Sequence, residues 1–489
     1  MFYRKNFATK DSKSLKLRFN KFDEWKGEDD AKLEINQTKN CYNFSFCKGA
    51  LTPSYGFEQL ALPSTQSDAH TTFNIGATEI LKAWYFPMYE SYSGEDKHYV
   101  FYLAQDMTIY FFNVHEDKFM YESDATFTEI PTGAAFRINS DNDTMFFASS
   151  ADQTVGLNGL GFQTYENIPK FVSGCWYGPY LFLLTIGDNN ELQYSRQRID
   201  IWNFDNVKTA ELPDIRGGMT QLVALKDYLY LFTNFGITRL SLYSTNADVA
   251  ETHIYHSTSY IYPQSIAKSG EEIMFFADDG LYRLKGSGVE KIELPIIANM
   301  TANANNDCSG VCFDGKYFLA CKYDFGDSQT VGCESGTYVN NAMVVYDMTT
   351  EEFEVVRGID IRQLFTIQTP KVKKLCALFR GEKKGLIGQL THDGLFFGTP
   401  LAKQWNSAQT DFGYAGNDKC VTEVVVRPHT QGTLTISAET QSQQLQIADS
   451  DLSQRFRVRV FGKVFSLSFD CQQTAPHISC PQITVEVFS

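Results

Sequence analysis

Two stretches, 229-LYLFTNFGITRL-240 and 273-IMFFADDGLYRL-284, align without a gap at an offset of 44 residues. Each is an apolar run and a polar turn, followed by Gly, an apolar residue, any residue, Arg and Leu. An apolar run returning through a tight polar turn reads as a β-hairpin. The same unit recurs as 100-VFYLAQDMTIYFF-112, 145-MFFASSADQTVGL-157 and 180-YLFLLTIGDNNELQYS-195. It recurs again as 317-YFLACKYDF-325 with 342-AMVVYDM-348, and as 375-LCALFR-380 with 387-IGQLTHDGLFFG-398. Short strands precede several hairpins, as in 172-VSGCWY-177, 220-TQLVAL-225 and 361-IRQLFT-366. Others follow them, as in 251-ETHIYH-256, 288-GVEKIEL-294 and 353-FEVVRG-358. The units start roughly every 40–50 residues, the period of four-stranded propeller blades, each too thin to bury both of its faces alone.

The chain therefore reads as all-β: a β-propeller over 61–405, with six blades counted between about 98 and 399. A seventh is added if 74-NIGATEILKAWYF-86 helps close the ring. Residues 1–60 do not fit the period and read as an N-terminal extended arm with an opening strand. From about 406 the texture changes to clean alternation, as in 421-VTEVVVRP-428, 432-GTLTISAE-439, 455-RFRVRVFG-462 and 482-QITVEVFS-489. The segment 406–489 reads as a C-terminal antiparallel β-sandwich. The aromatic content of 14% supports strands over helices.

A net charge of −15 sets the surface against nucleic acid and anionic membranes. No apolar run reaches the length of a spanning helix, and the basic start, MFYRKNFATKDSKSLKLRFNKF, lacks the apolar centre of a signal peptide. The seven Lys and Arg residues within 4–21 read as a partner-binding arm or a frayed terminus. The eleven cysteines are scattered and odd in number, which reads as reduced thiols in a protein made in cytoplasm.

Candidate chemistry is sparse. Cys308 and Cys312 have ligand-like spacing, but no matching pair or nearby His completes a zinc site. The segment 310-GVCFDGKY-317 nearly spells a phosphate-binding loop, yet Tyr317 stands where a hydroxyl must hold Mg²⁺, and a strand follows Lys316; it reads as a hairpin turn. His253 and His256, three apart on a strand, are expected on opposite faces, and His392 is expected in a solvated turn. The acidic run 139-NSDNDT-144 lacks the glycine and distal Glu of an EF-hand loop. Sequons at Asn36, Asn43, Asn142 and Asn299 match chance frequency for so Asn-rich a chain. No catalytic residue, cofactor-binding residue or metal ligand is nominated, and no cofactor is implied.

Several segments together resemble the propeller-bearing tail proteins of short-tailed bacteriophages, the tail nozzle or packaged-DNA stabilisation family. They are 43-NFSFCKGALTPSYGF-57, 191-ELQYSRQRIDIWNF-204, the paired hairpins within 227–284, and 455-RFRVRVFGKVFSLSFDC-471. No single motif is specific; their order carries the likeness, and the cysteine richness departs from it. The resemblance implies a non-enzymatic structural protein of the virion. It implies a homo-oligomeric ring, six copies in the family, set between portal or adaptor and distal tail proteins. Such a ring lines the DNA channel, retains packaged duplex DNA and guides its ejection. A propeller hydrolase or lyase acting on glycans and a protein-binding propeller scaffold are the rival readings; paired axial carboxylates would mark the first and a lone monomer with an apolar patch the second.

Overall fold

The computed structural model describes residues 12–18, 22, 38–60, 79–90, 94–115, 120–137, 143–158, 161–166, 168–177, 180–186, 191–195, 207–210, 212, 216–243, 248–326, 338–474 and 476–488. The acidic run 139–144 falls largely outside them. So do most of the basic arm and residues 196–204 of the Tyr-Ser…Trp segment.

The described chain is almost entirely strand and forms a β-propeller. Seven antiparallel four-strand units follow one another, with innermost strands Ile80–Glu90, Thr132–Arg137, Phe171–Tyr177, Met219–Leu225, Ala267–Ser269, Ser309–Phe313 and Ile361–Gln368. In each unit the second strand is the most deeply buried, and its register explains the repeated apolar runs. Phe146 and Ala148 face the third unit, whereas Met145 and Phe147 face the first. Tyr230 and Phe232 face the fifth, and Leu229 and Leu231 the third. Phe318 and Ala320 face the seventh, and Tyr317, Leu319 and Cys321 the fifth. A strand wedged between two neighbours must be apolar at every position, because its two side-chain rows both leave water. Each such Leu or Phe contributes about 1.5–3 kcal/mol by burial.

The circle is continuous. The seventh unit packs Ile367 and Leu378 against Ile80, Val100 and Tyr102 of the first. The Gln363 side chain spans that seam, accepting from the Ala83 N–H at 2.9 Å and donating to its carbonyl at 2.7 Å. The outermost strand of the seventh unit comes from far upstream: Gly56–Gln59 pairs with Ile387–Thr391. A Cβ on Gly56 would lie 2.1 Å from the Leu395 carbonyl oxygen, so only glycine fits there. Closure thus falls to 56–59 and not to 74–86, whose described part supplies the innermost strand of the first unit.

The sixth unit does not stop at its outer strand. Phe353–Arg357 pairs with Thr38–Tyr42, and the sheet runs on through Lys403–Ser407, Phe465–Cys471, Gly432–Ala438 and Ser442–Ile447 to nine strands. A second sheet joins Phe44–Cys47, Ala50–Pro53, His477–Phe488, Asp418–His429 and Gln454–Gly462, with Ser12–Arg18 paired to His477–Phe488. The two sheets bury Val424, Val426, Val460 and Val485 against Leu434, Ile436, Leu467 and Phe469. The described strands within 12–18 and 38–59 therefore do not form a separate arm. They are shared between the C-terminal sheets and the last propeller unit, because each fills an edge left unpaired there.

Candidate functional site

A buried polar cluster lies where the propeller meets the C-terminal sheets. Asn43 is its centre. It is 1% exposed and holds φ 61, a left-handed conformation that asparagine tolerates well. Its side chain behaves like a strand residue: Oδ1 accepts from the Arg357 N–H at 2.7 Å. Nδ2 donates to the Arg357 carbonyl at 3.1 Å and to the Ala402 carbonyl at 2.6 Å. Its own N–H donates to Val355 O at 3.0 Å, and its carbonyl accepts from Ser54 N at 3.1 Å. One residue thus ties the N-terminal strands, the sixth unit and the 402 connection. With the amide fully engaged inside the protein, the Asn43 sequon cannot present a glycosylation acceptor.

Two hydroxyls and an imidazole meet a carboxylate nearby. Ser45 Oγ and Ser54 Oγ donate to the same Glu354 oxygen at 2.6 and 2.7 Å. His392 Nε2 lies 3.2 Å from Ser45 Oγ, and its ring packs on Tyr55 at 4.7 Å. The trio resembles a hydrolytic triad only in composition. Ser45 Oγ thus faces a carboxylate and an imidazole at once, and its contact with Glu354 is the shorter of the two. The arrangement is a latch between Phe44–Cys47 and the sixth unit. The turn residue His392 is exposed on one side yet joined to this latch, which its sequence position did not disclose.

Arg357 is 3% exposed, with its guanidinium 4.2 Å from the Phe325 ring centre and 5.6 Å from that of Tyr42. It lines two adjoining cavities of about 80 and 260 Å³. Lys403, 2% exposed, borders the smaller; its ammonium donates to the carbonyls of Leu401 and Gln473 at 3.1 and 2.9 Å. Burial holds its pKa below the usual lysine range and raises that of the neighbouring Asp470. The Lys403 ammonium spends its hydrogen bonds on backbone carbonyls and the Arg357 guanidinium lies against aromatic faces, contacts that fasten the loops around them.

The other candidates resolve as follows. Cys308 is buried in the core, and the Cys312 thiol donates to the Ala267 carbonyl at 3.8 Å. Burial pushes both thiols up, Cys312 to about 12, which opposes the thiolates that metal binding requires. Among the described residues no three His, Cys, Asp or Glu side chains gather where they could hold a metal. The segment 310–317 is a hairpin between Ser309–Phe313 and Lys316–Cys321, turning at Asp314 and Gly315 with φ 48 and 75.

His253 and His256 correct the expectation of opposite faces. Tyr255 pairs with Ile237 and His253 with Thr238, leaving Ile254 as an extra residue. This bulge turns the two imidazoles to one side, 5.6 Å between ring centres. His253 Nδ1 is held by Thr238 Oγ1 at 2.9 Å. Asn299 donates to Asp324 O at 2.9 Å. Asn36 and Asn142 lie outside the described residues.

No protein-family model matches this chain, and no curated protein does. Solved structures similar to it include the Pan2 WD40 domain of Neurospora crassa, at 11% identity and a TM-score of 0.37, covering 68% of this chain and 94% of that one. Hsv2 of Kluyveromyces lactis is similar at 9% identity and a TM-score of 0.33, covering 57% and 97%. The extracellular domain of a hybrid two component system protein from B. thetaiotaomicron covers 83% and 48% at 11% identity and a TM-score of 0.42. All three TM-scores lie under 0.5, so the propeller assignment rests on the strand pairings described above.

Proposed function

We propose that this chain is a structural virion protein: the ring-forming tail nozzle or hub of a short-tailed phage, built as a seven-bladed propeller carrying a β-sandwich. In that role it extends the portal channel between adaptor and distal tail proteins, retains packaged duplex DNA and guides its exit. It has no catalytic duty. The observation that carries the reading is the nine-stranded sheet running without a break from the sixth blade into the sandwich. It makes wheel and sandwich a single stiff block, suited to bearing load. The order of the tail-protein-like segments along the chain supports the same role. A net charge of −15 suits a channel wall past which a polyanion slides, since each basic phosphate contact would hold it back.

Negative-stain imaging of the purified protein and of virions tests the proposal. Closed rings in solution and at the tail of particles are expected. A monomer at every concentration, absent from particles, overturns it and favours the scaffold reading.

A further inference from the structure

The charge of this acidic chain is not evenly spread. On the edge strand Gln454–Gly462 of the second sandwich sheet, alternate residues point away from the core: Arg455, Arg457, Arg459 and then Phe461. Phe461 is 39% exposed and stacks on Phe488 at 6.5 Å, with the Arg459 guanidinium 5.5 Å from its ring centre. Just before the strand, Leu452 is 75% exposed. Two of the five large apolar side chains exposed among the described residues therefore bracket a row of three arginines. Arginine and exposed aromatic or aliphatic side chains in one contiguous strip are the composition of a protein-binding surface.

The strip cannot recruit a partner by adding a strand. The Arg459 and Phe461 N–H groups on the open edge are already taken by the side chains of Gln443 and Gln441, at 3.2 and 3.1 Å. Recognition must run through side chains, which leaves charge as the selector. A phosphate backbone fits poorly. Arg455 shares Glu423 at 3.3 Å, and register places Glu486 beside Cys420, under Phe461, so carboxylates interrupt the face. An acidic protein surface with apolar gaps fits better. The nearest abundant source is this chain itself, whose remaining surface is more acidic still than its net −15.

We propose that the strip from Leu452 to Phe461 docks onto the acidic flank of a second copy, in a head-to-tail contact that repeats around a closed ring. The identity of the partner rests on the ring reading above. The test is sedimentation velocity on the full chain at low and high salt. It compares wild type with the triple variant Arg455→Glu, Arg457→Glu, Arg459→Glu and with Leu452→Ser. Circular dichroism checks the fold of each. All four side chains are exposed, so native spectra are expected. Self-association of wild type that weakens with salt, is at least about 100-fold weaker in the triple variant and is about 10-fold weaker in Leu452→Ser supports the contact. Equal assembly of all three proteins overturns the strip and leaves the ring reading standing. A wild type that never assembles overturns both. Arginine-dependent retention of a DNA duplex without self-association overturns the contact in favour of a polyanion face.

Discussion

Replacing Asn43 with alanine tests whether a single buried amide couples the propeller to the C-terminal sheets. The change orphans the Arg357 N–H, which pairs with Asn43 Oδ1 at 2.7 Å, and strips donors from the Arg357 and Ala402 carbonyls. A buried donor without a partner costs about 1–3 kcal/mol, and each lost neutral bond about 1 kcal/mol. Alanine at φ 61 adds about 1 kcal/mol. The expected loss is about 4 kcal/mol, concentrated at the junction. Hydrogen exchange with peptide resolution reads it locally: amides of Phe353–Arg357 and Lys403–Ser407 lose up to about 1000-fold protection, while those of the third and fourth blades keep theirs. Asn43→Gly removes the backbone strain without restoring the bonds and recovers about 1 kcal/mol. Junction protection in Asn43→Ala within about 0.5 kcal/mol of wild type refutes the coupling argument. Uniform loss over the whole chain refutes its localisation.

Gly56→Ala drives a methyl into the Leu395 carbonyl; the seventh four-strand unit opens, and protease susceptibility rises within 387–400 while the third unit stays protected. The buried thiols predict an alkaline limit. Burial lifts Cys175, Cys321 and Cys376 to about 12, whereas the unfolded thiol titrates near about 8.5. Between those values the unfolded chain releases protons that the native one retains, so stability falls as pH rises. Urea midpoints that stay flat from pH 8.5 to 11, after correction for lysine and tyrosine titration, contradict this. Among the described cysteines only Cys47 is exposed, so Cys47→Ser removes one fast equivalent of reaction with a disulfide reagent under native conditions, and unfolding restores the rest.

The repeating hairpins were legible because a strand buried on both faces must be apolar without interruption, and such runs at 229–233 and 273–277 stand out from their polar turns. The alternating strands after 418 were legible for the opposite reason: one face is wet. What stayed hidden depends on pairings across hundreds of residues. Gly56–Gln59 is too short and too ordinary to announce that it completes the last blade. Asn43 carries a local cue, an asparagine in a run of aromatic strand residues, but its partners at 357 and 402 come only with the fold. The bulge at Ile254 reverses an orientation that simple alternation predicts for His256. The Ser45–Glu354–His392 latch joins three remote segments and has no linear signature.

The wheel is closed by residues made early and partners made late. Gly56–Gln59 must wait for Ile387–Thr391, and Thr38–Tyr42 for Lys403–Ser407. During translation, the strands within 38–59 leave the ribosome long before their partners exist, and the middle units can assemble before the closing piece has a slot. Such separation gives a high contact order and slow completion. It also exposes strand edges to other nascent chains in the interval. Removing 38–59 and supplying the segment in trans as a peptide offers a way to arrest the molecule one step before closure and then to release it.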